Sequence, residues 1–281
     1  MMGTINPEIT RPALRYYGGK FRLAKWIIGQ FPPHVCYVEP FGGAGSIILR
    51  KQPSYHEIYN DLDGEVVNFF RVLRERGDEL IHEIELTPWS REEQRLSFIP
   101  SNDDLERARR LYVRAWQTHG GGRTQWKSGW RYQKGTARGS KIVDDWSHIK
   151  YLWAVIARLK QIQIENGDGL EVIKRFDRED TLYYVDPPYL ADIRSLRWRK
   201  KAYTCEVDDS YHVKLGRLLN NIKGMAIISG KPCELYRDLY DGWKILQRTS
   251  PTDFGGNTVE CLWISPKAEF RQRQIGMSLP E

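Results

Sequence analysis

The stretch "YVEPFGGAGSIIL" (residues 37–49) decides the fold of this 281-residue chain. Its apolar start is typical of a strand, its glycines favour a tight turn, and the sequence from about Ser46 predicts a helix. A strand, a glycine turn and a helix in this order build the nucleotide-binding crevice at the carboxyl edge of a parallel sheet. Gly42, Gly43 and Gly45 would let the backbone approach a ligand closely, although a plain tight turn needs the same freedom.

Two acids follow about 20 residues later, in "EIYNDLDGEVVNFF" (57–70). An acid after the second strand of such a unit is placed to accept hydrogen bonds from a ribose diol. We assign this role to Asp61 and expect Asp63 to cap the helix that opens near Gly64, although either carboxylate could do either task. The glycine turn and the spaced acid together indicate an adenosine-containing cofactor.

Upstream of the glycine turn, the segment "RYYGGKFRLAKWI" (15–27) places two glycines between aromatic residues and a lysine. This pattern predicts a turn that leads into an amphipathic helix. By itself it is a generic helix start.

Short apolar segments rich in β-branched or aromatic residues recur along the chain and predict strands. They are "VCYV" 35–38, "EIY" 57–59, "IQI" 162–164, "LYYV" 182–185, "MAIIS" 225–229 and "LWI" 262–264. Helical patterns lie between them, as at Val66, Phe69, Phe70 and Leu73, which are spaced for one helix face. Strands that alternate with helices predict an α/β sandwich around a mostly parallel sheet.

Residues 76–148 break this alternation. Helical segments lead into "THGGGRTQWKSGWRYQKGTARGSK" (118–141), which is rich in Gly, Arg, Lys and aromatic residues and almost free of acids. A loop of this length inside a compact domain is usually functional or disordered. We predict a small helical insertion that carries a basic, aromatic loop, and the formal net charge of +7 agrees with a polyanionic partner.

The stretch "TLYYVDPPYLAD" (181–192) ends a predicted strand in an acid, two prolines and an aromatic ring. Proline fixes its own φ and restricts the residue before it, so the carboxylate of Asp186 is held at the carboxyl edge of the sheet. The site suits a planar group that bears an amino function. The NH2 would donate to Asp186 and to the carbonyl of Pro187, and the ring would stack on Tyr189.

Composition excludes several other classes of protein. The first residues, "MMGTINPEIT", lack an apolar stretch, and no run approaches the roughly 20 apolar residues of a membrane span. None of the four cysteines stands in a CxxC pair, so we expect neither a metal site nor a disulfide framework. We expect no membrane partner and a cytoplasmic, nucleoid-associated location.

These motifs together resemble the Dam-type family of adenine-N6 DNA methyltransferases. The family's order is similar to "YYGGK", "VEPFGGAGS", an acid like Asp61, an inserted recognition domain and then "DPPY". Segments like "YTCEVDDSYHVKL", "AIISG", "ELY" and "ECLWISP" follow, so the resemblance covers nearly the whole chain. The placement of the cofactor motif before the insertion resembles the alpha arrangement of amino-methyltransferases.

The resemblance implies a Rossmann-like methyltransferase fold. Residues 1–75 and 149–281 would form the catalytic domain, and residues 76–148 the DNA target-recognition domain. The cofactor would be S-adenosylmethionine. Its expected contacts are Tyr16, Lys20, Phe41, Gly43, Gly45, Asp61, Asp168 and Asp186. Tyr16 stands where close relatives often have Trp, and Asp168 matches an acid that often meets the cofactor's adenine edge.

The implied reaction is direct in-line methyl transfer to the N6 of an adenine flipped out of duplex DNA. Asp186, Pro187 and Tyr189 would be catalytic, with Asp186 shared between cofactor and base. Contacts with DNA would come from Arg123, Lys127, Arg131 and Lys134. The basic run "IRSLRWRKKAY" (193–203) would cover DNA near the flipped base, or form a solvated face.

Three alternatives remain. The same fold could act on cytosine N4 or on adenine in RNA, or the chain could be a non-catalytic DNA-binding relative. Cytosine-N4 enzymes more often carry Ser in place of the acid, so Asp186 favours adenine. A cognate restriction enzyme is a further partner that the resemblance leaves open.

Overall fold

The computed structural model describes residues 8–120, 129–133, 141–190, 205–251 and 257–276. This part of the chain contains a seven-stranded sheet in the order β3-β2-β1-β4-β5-β7-β6. The strands are β1 (Cys36–Glu39), β2 (His56–Asn60), β3 (Gln163–Glu165), β4 (Thr181–Val185), β5 (Met225–Gly230), β6 (Lys244–Pro251) and β7 (Asn257–Ile264). β7 runs antiparallel to both of its neighbours, whereas the pairs from β3 through β5 are parallel.

Helices surround this sheet, and several of them lie in the predicted insertion. They are α1 (Ala24–Ile28), α2 (Gly64–Glu75), α3 (Gly77–Leu86), α4 (Arg91–Leu96), α5 (Asp104–Gln117), α6 (Ile142–Ser147), α7 (Leu152–Leu159), α8 (Gly169–Arg175), α9 (Asp209–Asn221), α10 (Glu234–Leu239) and α11 (Pro266–Gly276). The mixed α/β architecture with a mostly parallel sheet confirms the predicted fold class.

The two faces of the sheet are buried under different layers, because successive side chains of a strand point to opposite faces. On β1, Tyr37 belongs to one buried cluster, which also contains α2 and α5 side chains such as Phe69 and Leu111. The next residue, Val38, belongs to a second cluster with side chains of α9 and α10. The strands are therefore covered on both sides, as parallel sheets require.

The strand order places a topological switch between β1 and β4. From β1 the chain moves through β2 to β3 on one side, and it then returns to β4 and continues to β5 on the other side. Ligands of open α/β sheets bind in the crevice outside the carboxyl ends of the strands at such a switch. The segments that follow Glu39 and Val185 both begin at this crevice.

Two details of the fold differ from the sequence prediction. Residues 46–50 form turns and not the predicted regular helix, and Lys51 already leads toward Pro53 and the start of β2. A short connection of this kind leaves little room for further helical turns. Strand β6 was not predicted, because its sequence "KILQRTSP" is mostly polar and lacks the continuous apolar run that marked the other strands.

The insertion shares its core with the rest of the chain. Helix α5 packs on α2, and the rings of Phe69 and Tyr112 stack with centroids 6.1 Å apart. Buried side chains of α3 and α5, such as Leu80 and Leu111, belong to the same cluster as Tyr37 of β1. The boundaries at residues 76 and 148, and the status of this segment as a domain, stay predictions.

Candidate active site

A cleft of about 860 Å³, including the part open to solvent, lies at the switch between β1 and β4. Pockets of this size hold small molecules and cofactors. The cleft brings together predicted cofactor residues from four separate segments. These are Tyr16, Lys20, Phe41, Gly43, Asp61 and Asp186. The structure therefore gathers at one edge of the sheet groups that lie up to 170 residues apart in sequence.

The glycine turn after β1 forms one wall of the cleft. Gly43 has a φ of 48°, a conformation that favours glycine, and a Cβ there would lie 3.3 Å from the ring of Tyr16. At Gly42 a Cβ would overlap the ring of Tyr59, only 2.2 Å away. Both positions require glycine, so the turn is more than a generic bend.

Asp61 is tied to the glycine turn by its side chain. Its carboxylate accepts a hydrogen bond from the amide of Gly43 at 2.7 Å and another from the amide of Asp63 at 2.8 Å. Burial raises the pKa of Asp61 to about 6, although these amide donors act in the opposite direction. Asp63 accepts from the amide of Glu65 at the N-terminus of α2, so its predicted capping role is confirmed.

Both oxygens of the Asp186 carboxylate have partners. Lys20 donates to Oδ2 from 2.8 Å, and the hydroxyl of Ser229 donates to Oδ1 from 2.7 Å. Ser229 in turn accepts from the hydroxyl of Tyr184 at 3.0 Å. Burial alone would lower the pKa of Lys20, but the attraction of Asp186 and Glu260 outweighs it and the pKa is raised. The ion pair thus connects the "YYGGK" and "DPPY" segments.

The remaining residues of "DPPY" are distributed around this ion pair. Pro188 lines the cleft, whereas Pro187 and Tyr189 are not among its lining residues. The hydroxyl of Tyr189 donates to the carboxylate of Glu260, and the ammonium of Lys20 lies over the Tyr189 ring, 4.9 Å from its centroid. Glu260 was not identified from sequence as a site residue.

Glu39 is a second acid that sequence reasoning did not assign. It ends β1, lines the cleft and is only 2% exposed. The hydroxyl of Tyr37 donates to its Oε1 from 2.7 Å, and burial raises its pKa to about 8. Its position directly before the glycine turn was the signal that could have identified it.

Two predicted cofactor residues lie beside the cleft and not in its lining. Asp168 caps α8 by accepting from the amide of Leu170 at 2.7 Å, and it also accepts from the hydroxyl of Tyr211 at 3.2 Å. At Gly45, which has a φ of 63°, a Cβ would meet the core side chains of Leu49 and Phe70. Direct cofactor contacts of Asp168 and Gly45 stay predictions.

Two described parts of the predicted loop region pair with each other, and we call them the hairpin stem (residues 117–119 and 129–131). The amide of His119 donates to the carbonyl of Gly129 at 3.0 Å, and the amide of Arg131 donates to that of Gln117 at 2.7 Å. Thr118 forms an antiparallel bridge with Trp130. Arg131 is therefore held at the base of the loop, whereas Arg123, Lys127, Lys134 and the run 193–203 lie outside the described residues.

Aromatic rings and guanidinium groups surround the hairpin stem. The rings of Trp130 and Tyr132 stack with centroids 5.9 Å apart, and the guanidinium of Arg91 lies 4.9 Å from the Trp130 ring. The indole of Trp89 donates to the carbonyl of Arg131 at 3.0 Å. These contacts join α4 to the hairpin stem.

Within residues 8–120, 129–133, 141–190, 205–251 and 257–276, no group of three or more His, Cys, Asp or Glu side chains is arranged to hold a metal ion. The helices in those same ranges include none with the length and apolar character of a membrane span.

The chain is similar to known DNA methylases in sequence. It is 26% identical over 197 residues to the DNA adenine methylase of Haemophilus influenzae, a match that covers 66% of each chain. It is 34% identical over 71 residues to the DNA adenine methylase of Escherichia coli (strain K12), which covers 25% of each. The chain thus spans just under two thirds of the first relative and a quarter of the second.

The solved structure of a precorrin 8W decarboxylase from Methanobacterium thermoautotrophicum matches 92% of this chain and 96% of its own length, at 11% identity and a TM-score of 0.35. The family model of the D12 class N6 adenine-specific DNA methyltransferases, in contrast, matches residues 16–252. That span includes the glycine turn, Asp61, the insertion and Asp186, and the chain belongs to this family of methyltransferases.

Proposed function

We propose that this chain is a site-specific DNA methyltransferase that transfers a methyl group from S-adenosylmethionine to adenine N6 in duplex DNA. The observation that carries the proposal is the Asp186 carboxylate, which is held at the cleft by Lys20 and Ser229. Family membership supports the reaction class, and the cleft supports a cofactor of nucleotide size.

The residues of the cleft fit S-adenosylmethionine, which supplies an electrophilic methyl group on a sulfonium. Asp61 would accept from the ribose diol, and the rings of Tyr16 and Phe41 would pack against the cofactor. Lys20 and Asp186 offer a cation and an anion for the charged groups of the amino-acid moiety. The turn at Gly43 has no side chain, so the cofactor can approach the backbone there.

The proposed role of Asp186 and Pro187 is to hold the amino group of adenine. The lone pair of N6 is delocalised into the ring, so N6 is a poor nucleophile until its two hydrogens are fixed. The Asp186 carboxylate and the Pro187 carbonyl would each accept a hydrogen bond from the amino group, and the lone pair would then point toward the methyl group. Each carboxylate oxygen accepts more than one hydrogen bond, so Asp186 can bind N6 without releasing Lys20 or Ser229. Catalysis would then rest on positioning and preorganised charge.

The target base must leave the duplex before it can reach this site, which costs a few kcal/mol. Stacking on Tyr189 would offset part of that cost, since base–aromatic stacking is worth roughly 1–3 kcal/mol. Contacts to phosphates and base edges would come from Arg131 in the hairpin stem and from Arg123, Lys127 and Lys134. A nucleoid-associated location and a cognate restriction enzyme are extensions of the same proposal.

The test uses DNA from a methylation-free host that expresses the chain. We expect long-read sequencing to show N6-methyladenine at one short motif, and the Asp186→Ala variant to leave the same DNA unmodified. Purified protein with labelled S-adenosylmethionine should then label a duplex that carries the motif, and not the matching RNA duplex. Modified cytosine would assign the reaction to N4, and unlabelled nucleic acid in every case would contradict the proposal.

A further inference from the structure

Glu260 is a buried acid in an unusual position for a structural residue. It stands on β7 where that strand passes from exposed to fully buried residues, and it is 5% exposed. Its neighbours Cys261 and Leu262 are completely buried. A carboxylate at such a position costs free energy unless polar partners compensate for the lost hydration.

The described polar partners of Glu260 come from the two segments of the active site. The hydroxyl of Tyr189 donates to its Oε1, and the ammonium of Lys20 lies 3.7 Å from the same oxygen. Lys20 is also 2.8 Å from Asp186 Oδ2 and 4.9 Å from the centroid of the Tyr189 ring. Glu260, Tyr189, Lys20 and Asp186 are therefore connected by direct contacts, and we call this group the tyrosine clamp.

The tyrosine clamp restrains the ring of Tyr189 at both ends. The backbone that follows Pro188 holds the Cβ end, and Glu260 holds the hydroxyl end. Lys20 lies over one face of the ring and restricts its rotation about the axis between these ends. A ring that is already oriented loses less conformational entropy when a base stacks on it.

We propose that Glu260 is a positioning residue of the methyl-transfer reaction, which orients Tyr189 for stacking with the flipped adenine. The inference rests on the proposed function, because it gives Tyr189 the stacking role. Glu260 makes no contact with the reacting atoms; it acts through the hydroxyl of Tyr189.

Charge alone is a competing explanation for Glu260. Its carboxylate raises the pKa of Lys20 together with Asp186, so its removal could act through the lysine and not through the tyrosine. An effect through the charge on Lys20 and an effect through the hydroxyl of Tyr189 predict that different variants lose activity. Glu260→Gln retains an oxygen that accepts from Tyr189 but removes the charge, whereas Tyr189→Phe retains the charge and the ring but removes the hydrogen bond.

The experiment measures kcat/KM on a duplex that carries the motif methylated by the wild type. We expect Tyr189→Phe and Glu260→Ala each to lower kcat/KM by about 10-fold to 100-fold, the range for a hydrogen bond to a charged group. The double variant should be no worse than the poorer single variant, because both changes break the same contact. Glu260→Gln should stay within about threefold of the wild type, since its amide oxygen still accepts the hydroxyl.

A matched control comes from the same strand segment. Tyr183 precedes Tyr184 on β4, and its buried hydroxyl donates to the carbonyl of Ile173, on the other face of the sheet. Tyr183→Phe removes a buried hydroxyl far from the tyrosine clamp, so it should change the melting temperature and not kcat/KM. Each kcat/KM is divided by the folded fraction of that variant, which a thermal melt measures.

Three results would overturn the inference. Wild-type kcat/KM in folded Tyr189→Phe would show that the hydroxyl contact does not matter, even if Glu260→Ala failed to fold. Multiplicative losses in the double variant would mean that the two residues act independently. A loss in Glu260→Gln as large as in Glu260→Ala would assign the effect to charge on Lys20. The failure of the proposed function is a separate result, because the wild type would then methylate no duplex.

Discussion

The cleft and the hairpin stem are held together by different kinds of contact. In the cleft, charged groups are buried and paired, as with Lys20 and Asp186, whose side chains are 6% and 19% exposed. At the hairpin stem, aromatic rings and guanidinium groups stack near the surface, and Tyr132 is 46% exposed. Buried polar sites lose much when one partner is removed, whereas exposed contacts are individually weak and screened by salt.

This contrast predicts sharp effects in the cleft and graded effects at the insertion. The cleft is a preorganised site of the kind that positions reacting groups. The insertion presents cations and rings that would together bind a polyanion, with affinity spread over many contacts. Four predictions test the contrast, from the largest expected effect to the smallest.

Asp186→Ala should reduce methyl transfer at least about 10³-fold while the fold survives, because it removes the proposed acceptor for the base and the partner of Lys20. Methyl incorporation from labelled S-adenosylmethionine and a thermal melt give the two readouts. Ser229→Ala removes only one donor to Asp186 and serves as the milder companion, with a loss of about 10-fold. Near-normal turnover in folded Asp186→Ala would remove this residue from the mechanism.

Glu39 should make stability fall as pH rises. In the unfolded chain this group ionises near pH 4.5, whereas in the folded chain its pKa is about 8. The protonated Glu39 carboxyl contributes its full share of the free energy of unfolding below pH 4.5, and this contribution is lost as the pH rises toward 8. Between pH 5 and 7.5 the free energy of unfolding should therefore drop by about 3 kcal/mol relative to Glu39→Gln.

Urea unfolding of the wild type and of Glu39→Gln at both pH values measures this difference. The glutamine side chain retains an oxygen that accepts from Tyr37, so this hydrogen bond is present in both proteins. A stability difference that does not change with pH would show that Glu39 is ionised in the folded chain at neutral pH.

Asp61→Ala should weaken S-adenosylmethionine binding by about 1.5–3 kcal/mol, the range for a charge-assisted hydrogen bond. Its pKa of about 6 adds a pH signature. The ionised carboxylate is the better acceptor, so affinity should fall as the pH drops through 6. Titration calorimetry at pH 5.5 and 7.5 checks both effects.

Asp63→Ala is the matched control for Asp61. Asp63 caps α2, so its loss should cost about 1 kcal/mol of stability and leave cofactor affinity unchanged. If Asp63→Ala weakens binding and Asp61→Ala does not, the ribose role belongs to Asp63.

At the insertion, at least one of Arg123, Lys127, Arg131 and Lys134 should read a base. Removal of a side chain that is bidentate to guanine should cost about 1–3 kcal/mol on the cognate duplex only. Removal of a phosphate contact should weaken binding to every duplex and reduce the salt slope by about one unit. Binding of each Ala variant to cognate and scrambled duplexes at several salt concentrations separates the two.

Arg131 offers the sharpest case, because its backbone is fixed in the hairpin stem. Arg91→Ala is its structural control, since Arg91 stacks on Trp130 and supports the stem without belonging to the loop. Equal losses on both duplexes for all four variants would show that these residues act only as an electrostatic clamp. The segment 193–203 would then be the candidate for sequence reading.

Much of the fold could be read from local pattern. The strands β1, β4 and β5 are short, apolar and bounded by turn residues, so periodicity located them to within two residues. Strand β6 was not predicted, because an antiparallel strand with many polar residues lacks a continuous apolar run. The predicted helix at Ser46 was wrong because the short connection to β2 limits this segment to turns.

The sequence by itself determined the local chemistry of the site: a glycine turn, an acid pair at Asp61 and Asp63, and a carboxylate before two prolines. Each of these follows from backbone geometry within a few residues. The tertiary structure alone decided which distant groups meet them. Ser229 and Glu260 reach Asp186 and Tyr189 only because β5 pairs with β4 and β7 pairs with β5 in the sheet. Strand order depends on packing across the whole chain and not on any local segment.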